Sequence, residues 1–291
     1  MFSKMAKCVY VNGKFVQRRN AAIDIEDRGF NFGDAVYEVI FLNNGGLVDE
    51  SEHLDRLEYS LSELDIPLPK SRRVLSLLVR EVVRLNRITN GFIYIQVSRG
   101  VAPRDHLIPD NITPTLVIMA RSSNLIAKPT IRDGVSVITV PDLRWRRRDI
   151  KTTQLIANCL AKSDAVKAGA GEAWMVDEFG SITEGSSSNA WIVTANGELL
   201  TRPPSNEILN GITRRTIIAL AEEERLEFHE KGFTTDDALK ASEAFFTSAT
   251  SLATPVLSID GKKIGNGKVG PITKKIQGLY IKFANSSQRI I

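Results

Sequence analysis

Apolar and polar positions along the chain fall into runs of two kinds, one alternating and one of helical period. Near the start, CVYVNGKFV sets two short apolar runs on either side of Asn12-Gly13, a pair that favours a two-residue hairpin turn, so an antiparallel meander is expected to open the fold. From Ser51 the period changes. Leu54, Leu57, Leu61 and Leu64 recur at helical spacing until Pro67 and Pro69 stop the run. Ser71 can cap a second helix, with Val74, Leu75, Leu78, Val82 and Leu85 on one face and Asn90-Gly91 at its end. GFIYIQVSRG and PTLVIMAR, rich in β-branched and aromatic residues, read as strands. The aperiodic, proline-containing stretch after them is expected to be an interdomain linker over 123–133. It would divide a domain at 1–122 from a domain at 134–291.

In the second half, GVSVITV reads as a strand, and Leu155, Ile156, Cys159, Leu160 and Val166 trace a helix ending near Gly169. Lys151 therefore lies just before a helix. EAWMVDEFGSITEG and NAWIVTANGELLTR give further strands, the last two joined at Asn196-Gly197. GITRRTIIALAEEERL is a strong helix pattern, EAFFTSATS a strand running into a loop of small residues, and the tail from Gly270 a final helix. Strands and helices are partly segregated, which favours an α+β arrangement.

Composition narrows the function classes. At 291 residues the chain exceeds what one compact core usually takes, which points to two domains. With 43% hydrophobic and 25% charged residues it should fold throughout. A net charge of +4 from 38 basic and 34 acidic residues is a mixed surface and argues against a nucleic-acid partner. Cys8 and Cys159 are far apart and lack metal-ligand spacing, so both are expected to be free thiols in a reducing compartment, with no metal site. An apolar leader and a run of roughly 18 apolar residues are both missing, so a cytoplasmic location and no membrane partner are expected.

Five short segments could carry chemistry, and each also has a plain reading. DLRWRRRDIKTTQ sets Lys151 beside an arginine cluster; nearby cations favour the neutral, nucleophilic form of an amine, but such runs are usually a solvated face. ITEGSSSNA places Glu184 before small polar residues, where a carboxylate could keep a pyridine nitrogen protonated; a serine-rich turn is the plain alternative. NGITRR leads into a helix start and TSATS makes a small-residue turn, both able to present backbone N–H groups to a phosphate. Arg104 and His106 in VAPRDHLIPD can point the same way from an extended loop and clamp a carboxylate, or stand in an ordinary surface loop.

Taken together and in order, EDRGFNFGDAVYEVI, HLDRL, RWRRRDIKTTQL, ITEGSSSNAWIV, NGITRR and FFTSATSLATPV resemble the signatures of the fold-type-IV pyridoxal-phosphate enzymes, the group of branched-chain and D-amino-acid aminotransferases. The resemblance spans nearly the whole chain. It implies a two-domain α+β fold with a smaller N-terminal α/β domain, a larger C-terminal domain with a mixed, partly barrel-like sheet, and pyridoxal 5′-phosphate between the domains. It also implies Lys151 as the Schiff-base and proton-transfer lysine and Glu184 as partner of the pyridine nitrogen. The phosphate ligands would be Arg56, with Ile212, Thr213, Ser248 and Ala249 adding backbone N–H groups. Ala249 departs from the threonine common in the D-specific enzymes and offers no hydroxyl.

The Arg-x-His pair in IYIQVSRGVAPRDH resembles that of the D-amino-acid aminotransferases, which branched-chain enzymes generally lack. Tyr37, Arg104 and His106 would then hold the substrate α-carboxylate, with Arg104 and His106 reaching the neighbouring site of a homodimer. The implied activity is ping-pong exchange of an amino group between D-amino acids, such as D-alanine and D-glutamate, and 2-oxo acids. A branched-chain L-amino-acid aminotransferase and, further off, an aminodeoxychorismate lyase are the alternatives.

Overall fold

A computed structural model describes residues 7–290; residues 1–6, part of the stretch where no apolar leader is expected, lie outside them. The chain forms two compact units, one of residues 1–124, 150–154 and 284–291, the other of 125–149 and 155–283. The chain thus enters the first unit three times. The span expected as a linker belongs from Leu125 onward to the second unit and contains a short helix, Pro129–Asp133.

In the first unit, strands β1 (Cys8–Val11), β2 (Lys14–Gln17), β3 (Ala35–Asn43), β4 (Gly46–Leu47), β5 (Gly91–Ser98) and β6 (Thr115–Ser122) make an antiparallel sheet in the order β2-β1-β6-β5-β3-β4. The β1–β2 hairpin turns on Asn12 and Gly13, both at positive φ as such a turn demands. Helices α1 (Arg28–Phe32), α2 (Glu50–Ser62) and α3 (Arg72–Asn86) complete the unit. Leu54, Leu57 and Leu61 of α2 and Leu75, Val79, Val82 and Val83 of α3 join Ile40, Ile93, Ile95 and Ile118 of the sheet in one core. Three details differ from the sequence reading, the first being that Val74 and Leu85, expected on the apolar face of α3, are exposed. Ser71 sits at the N-cap of α3 without a side-chain capping bond, and the helix stops at Asn86 because Arg87 turns left-handed, four residues before Gly91.

The second unit is built on helices α4 (Pro129–Asp133), α5 (Ile156–Lys167), α6 (Ile212–Glu223), α7 (Thr235–Lys240) and α8 (Pro271–Ser286), the last of which ends in the first unit's residues. Its strands are β7 (Val135–Pro141), β8 (Glu172–Val176), β9 (Ile182–Gly185), β10 (Asn189–Val193), β11 (Leu199–Thr201), β12 (Phe228–Glu230), β13 (Glu243–Ser248), β14 (Leu252–Ile259) and β15 (Lys262–Lys263). They form one mixed sheet in the order β12-β11-β10-β13-β14-β7-β8-β9, with β15 paired to β14. The β14–β7, β7–β8 and β11–β12 pairs are parallel and the rest antiparallel.

The sequence pattern misplaces the inner face of α5. Ile156, Leu160 and Val166, expected inside, are exposed, while Ala161 and Ala165 are buried against β8. Small side chains let this helix lie close to the sheet, and its large apolar residues point outward.

Candidate active site

In the first unit Tyr37, Lys151 and Arg56 gather along β3. Residues 151–153 run beside it as an extra strand: Tyr37 N–H donates to the Lys151 carbonyl at 3.0 Å, Thr153 N–H to the Ala35 carbonyl at 3.0 Å, and Val36 bridges to Thr152. Lys151 N–H donates to Ser60 Oγ of α2 at 3.2 Å. The lysine is therefore fixed at its backbone from both sides. Its Nζ lies 4.2 Å from the centre of the Tyr37 ring, and among the described residues no carboxylate pairs with it. Tyr37 stacks on Tyr94, whose hydroxyl donates to Gln96 Oε1 at 2.7 Å; burial, with Tyr37 beside it, pushes the Tyr94 phenol above its ordinary range.

Beneath these residues lies an ionic cluster that the sequence reading missed. Glu38, fully buried, accepts from Arg56 Nε at 2.7 Å, Arg56 Nη2 at 3.0 Å and His53 Nδ1 at 2.7 Å. Burial would raise its pKa, but Arg56 and His53 outweigh burial and hold Glu38 well below the usual carboxylate range. Burial pushes His53 the other way, down against the pull of Glu38 and with help from the positive Arg56 and Lys151. A neutral ring facing a permanent carboxylate must present Nδ1 as an N–H donor. The signals were in the sequence: Glu38 is the one charged residue in the apolar run AVYEVIFL, and His53 and Arg56, three apart on a helix, share a face. Arg56, expected at a phosphate, has its guanidinium turned to Glu38.

The second unit places Glu184, Ile212, Thr213, Ser248 and Ala249 on neighbouring elements. Glu184, at the end of β9, is 4% exposed. It accepts from Asn189 Nδ2 at 2.9 Å, from Leu209 N–H at 3.2 Å and, closely, from Arg144 Nη1. Burial raises its pKa, and Arg144 and the Leu209 amide only partly offset this. Asn189 also donates to the Leu209 carbonyl at 2.8 Å, so it ties the loop before α6 to Glu184. Gly211 is the N-cap of α6 and no side chain caps the helix, which leaves the first-turn amides of Ile212 and Thr213 suited to an anion. A Cβ at Gly211 would come 2.0 Å from Asn189 Oδ1, so this position needs glycine. Asn189 stands opposite Thr247 in the β10–β13 pairing, which brings the turn at Ser248–Ser251 onto adjacent strands.

The arginine run behaves differently from its sequence reading. Arg144 is doubly bonded to Asp142, Arg148 lies 3.5 Å from the same carboxylate, and Arg147 pairs with Asp149 at 2.9 Å. These charges are taken up by acids of their own segment. Arg104 and His106 occupy an exposed loop, where the Arg104 Cζ is 5.3 Å and the His106 ring 5.7 Å from the ring centre of Phe32.

The profile of the family described as amino-transferase class IV matches residues 35–259. A D-alanine aminotransferase of Bacillus licheniformis is 43% identical over 271 residues, covering 92% of this chain and 94% of that protein. One from Staphylococcus haemolyticus is 40% identical over 282 residues, covering 96% and 98%. Among solved structures, the branched-chain amino acid aminotransferase of Escherichia coli superposes with a TM-score of 0.89 at 26% identity, covering 97% of this chain and 96% of that one. The segments carrying Lys151, Glu184 and both anion-suited turns all lie inside the matched region, and the chain belongs to the class IV aminotransferases.

Proposed function

We propose that the chain is a D-amino-acid aminotransferase that uses pyridoxal 5′-phosphate. The observation that carries this is Lys151: its backbone is bonded to β3 and α2, its amine lies over Tyr37, and no carboxylate among the described residues pairs with it. An amine so held and unpaired suits condensation with an aldehyde. The donor set fits the rest of the cofactor, since the second unit offers a buried carboxyl with raised pKa and two turns suited to a phosphate.

When bound, the cofactor supplies an electron sink for the carbanion left at the substrate's Cα. Lys151 would hold the aldehyde end of the cofactor, and its free amine would move the proton at the substrate's Cα. Glu184 would partner the pyridine nitrogen, where a carboxyl whose pKa burial has raised suits a shared proton. Ile212, Thr213, Ser248 and Ala249 offer amides to the phosphate, and Arg56 adds a guanidinium while Glu38 fixes its direction. Tyr37 contributes its hydroxyl to the substrate carboxylate. Amino acid and 2-oxo acid then use one site in turn, which gives ping-pong kinetics.

Arg104 and His106 complete the carboxylate grip at the neighbouring site of a homodimer. Support comes from the exposed Leu107, Ile108, Ile25 and Phe30 around α1, whose Arg28 Nη1 donates to the carbonyls of Asp105 and Leu107 at 2.8 and 3.2 Å. Contiguous apolar side chains of this kind mark a protein interface. No helix among the described residues is long and apolar enough to cross a membrane.

The test is a half-reaction with the cofactor-loaded protein, following its near-visible absorbance on adding D-alanine, then L-alanine and L-leucine. Loss of the resting band with the D-amino acid alone is expected. A faster response to L-leucine would instead make the chain a branched-chain enzyme, the activity named for its E. coli structural relative.

A further inference from the structure

Lys128 has no part in the arrangement above, yet its position is unusual for a lysine. It is half-buried at the N-cap of α4, and its Nζ donates to the Thr250 carbonyl at 3.2 Å. Thr250 lies in the turn between β13 and β14, where Ser248 Oγ accepts from Thr250 N–H at 3.4 Å and from Ser251 N–H at 3.1 Å. The amine is thus fastened to the turn whose Ser248 and Ala249 amides would face the phosphate. Its mounting is firm, because Gln277 Nε2 donates both to Ile131 of α4 and to Ala253 of β14, at 2.6 and 2.8 Å.

No carboxylate pairs with Lys128 among the described residues, and burial lowers its pKa with no acid to oppose it. A half-buried cation without a counter-ion carries a desolvation cost that an arriving anion would relieve. The turn itself is short of donors, since Ala249 has no hydroxyl and the Thr250 and Ser251 amides already donate to Ser248 Oγ.

We propose that Lys128 is a phosphate-retention residue, which braces the Ser248–Ser251 turn through Thr250 and supplies positive charge to the cofactor's phosphate. The inference rests on the proposed function, because it needs that turn to receive a phosphate. Lys128 is a positioning residue in this role, apart from the transfer chemistry.

The test measures binding of pyridoxal 5′-phosphate and of pyridoxal to the cofactor-free chain by absorbance titration, in the parent and in Lys128→Gln, Lys128→Met and Lys128→Arg. Lys128→Gln keeps an amide donor for the Thr250 carbonyl and removes only the charge. Both neutral variants should bind pyridoxal 5′-phosphate about five- to tenfold more weakly, as expected for losing one charge-assisted contact, with pyridoxal unaffected and the arginine variant close to the parent. Neutral variants that hold the phosphorylated cofactor as tightly as the parent would overturn the inference, as would an equal loss of pyridoxal binding, the mark of a general folding defect. A parent that takes up neither compound would overturn the proposed function along with it.

Discussion

Two buried glutamates, one in each unit, are set in opposite electrostatic states. Glu38 meets a guanidinium through two hydrogen bonds and an imidazole through a third, and its pKa is driven down. Glu184 meets a guanidinium too, but Arg144 is shared with Asp142, and the burial of Glu184 prevails to raise its pKa. The same side chain therefore serves as a permanent anion in one place and a group able to share a proton in the other. What decides the difference is how much of a neighbour's charge is already committed elsewhere. In the proposed mechanism the first fixes Arg56 and the tautomer of His53, and the second answers to a ring nitrogen.

The largest expected effect lies outside both carboxylates and gives the scale for them. Lys151→Ala should lower turnover by roughly 10³-fold or more, since it removes both the attachment and the proton-transfer group, with little change in melting temperature. Glu184→Gln comes next. Losing a charged partner of the developing ring charge should reduce kcat by roughly 10²–10³-fold while the covalently loaded protein still forms, as read by steady-state kinetics and absorbance.

Glu38→Gln should act mainly on stability. It leaves Arg56 buried without its counter-charge, which costs about 3 kcal/mol, seen as a lower denaturation midpoint. Equal loss of kcat and unchanged stability in the two glutamine variants would erase the contrast drawn here.

The pH dependence sharpens the comparison. Glu38 and His53 have folded pKa values below their unfolded ones, so their stabilisation is full above the ordinary values, 4.5 and 6.5, and is lost as pH falls from there through the folded values. Glu184 is raised, so its contribution has the opposite sign: it is present below 4.5 and is lost as pH rises from there. The stability gap between parent and Glu38→Gln should therefore shrink on acidification below pH 4.5, while the gap for Glu184→Gln should not, in chemical denaturation at several pH values. The smallest effect is expected at the exposed loop. Arg104→Ala should raise KM for D-alanine about tenfold with kcat changed far less, as a lost ground-state carboxylate contact would do.

Much of this arrangement was legible in the sequence where a local rule decides. Asn12-Gly13 turns the first hairpin, the leucine spacing of 54–61 marks a buried helix face, and Gly211 precedes α6 as its N-cap. Lys151, in a stretch expected to belong to the domain at 134–291, falls instead with Tyr37 and Arg56 in the first unit, and Glu184 with both anion-suited turns in the other. The rest depended on partners distant in the chain. Glu38's role needs His53 and Arg56 from the next helix, and Asn189 matters because β10 sets it beside both Glu184 and Leu209. For α5, apolar periodicity misled because two alanines suffice where a helix lies close to a sheet. The arginine run looked like a field acting on Lys151, until the structure showed Asp142, Asp149 and Glu184 taking up its charge.

The central claim is that Lys151 is the amine carrying the cofactor. Reducing the loaded protein with borohydride and mapping its peptides by mass spectrometry tests this directly. One phosphopyridoxyl group per chain is expected, on the peptide containing Lys151; a label on another lysine, or none on a protein that still turns over D-alanine, would refute that role for Lys151.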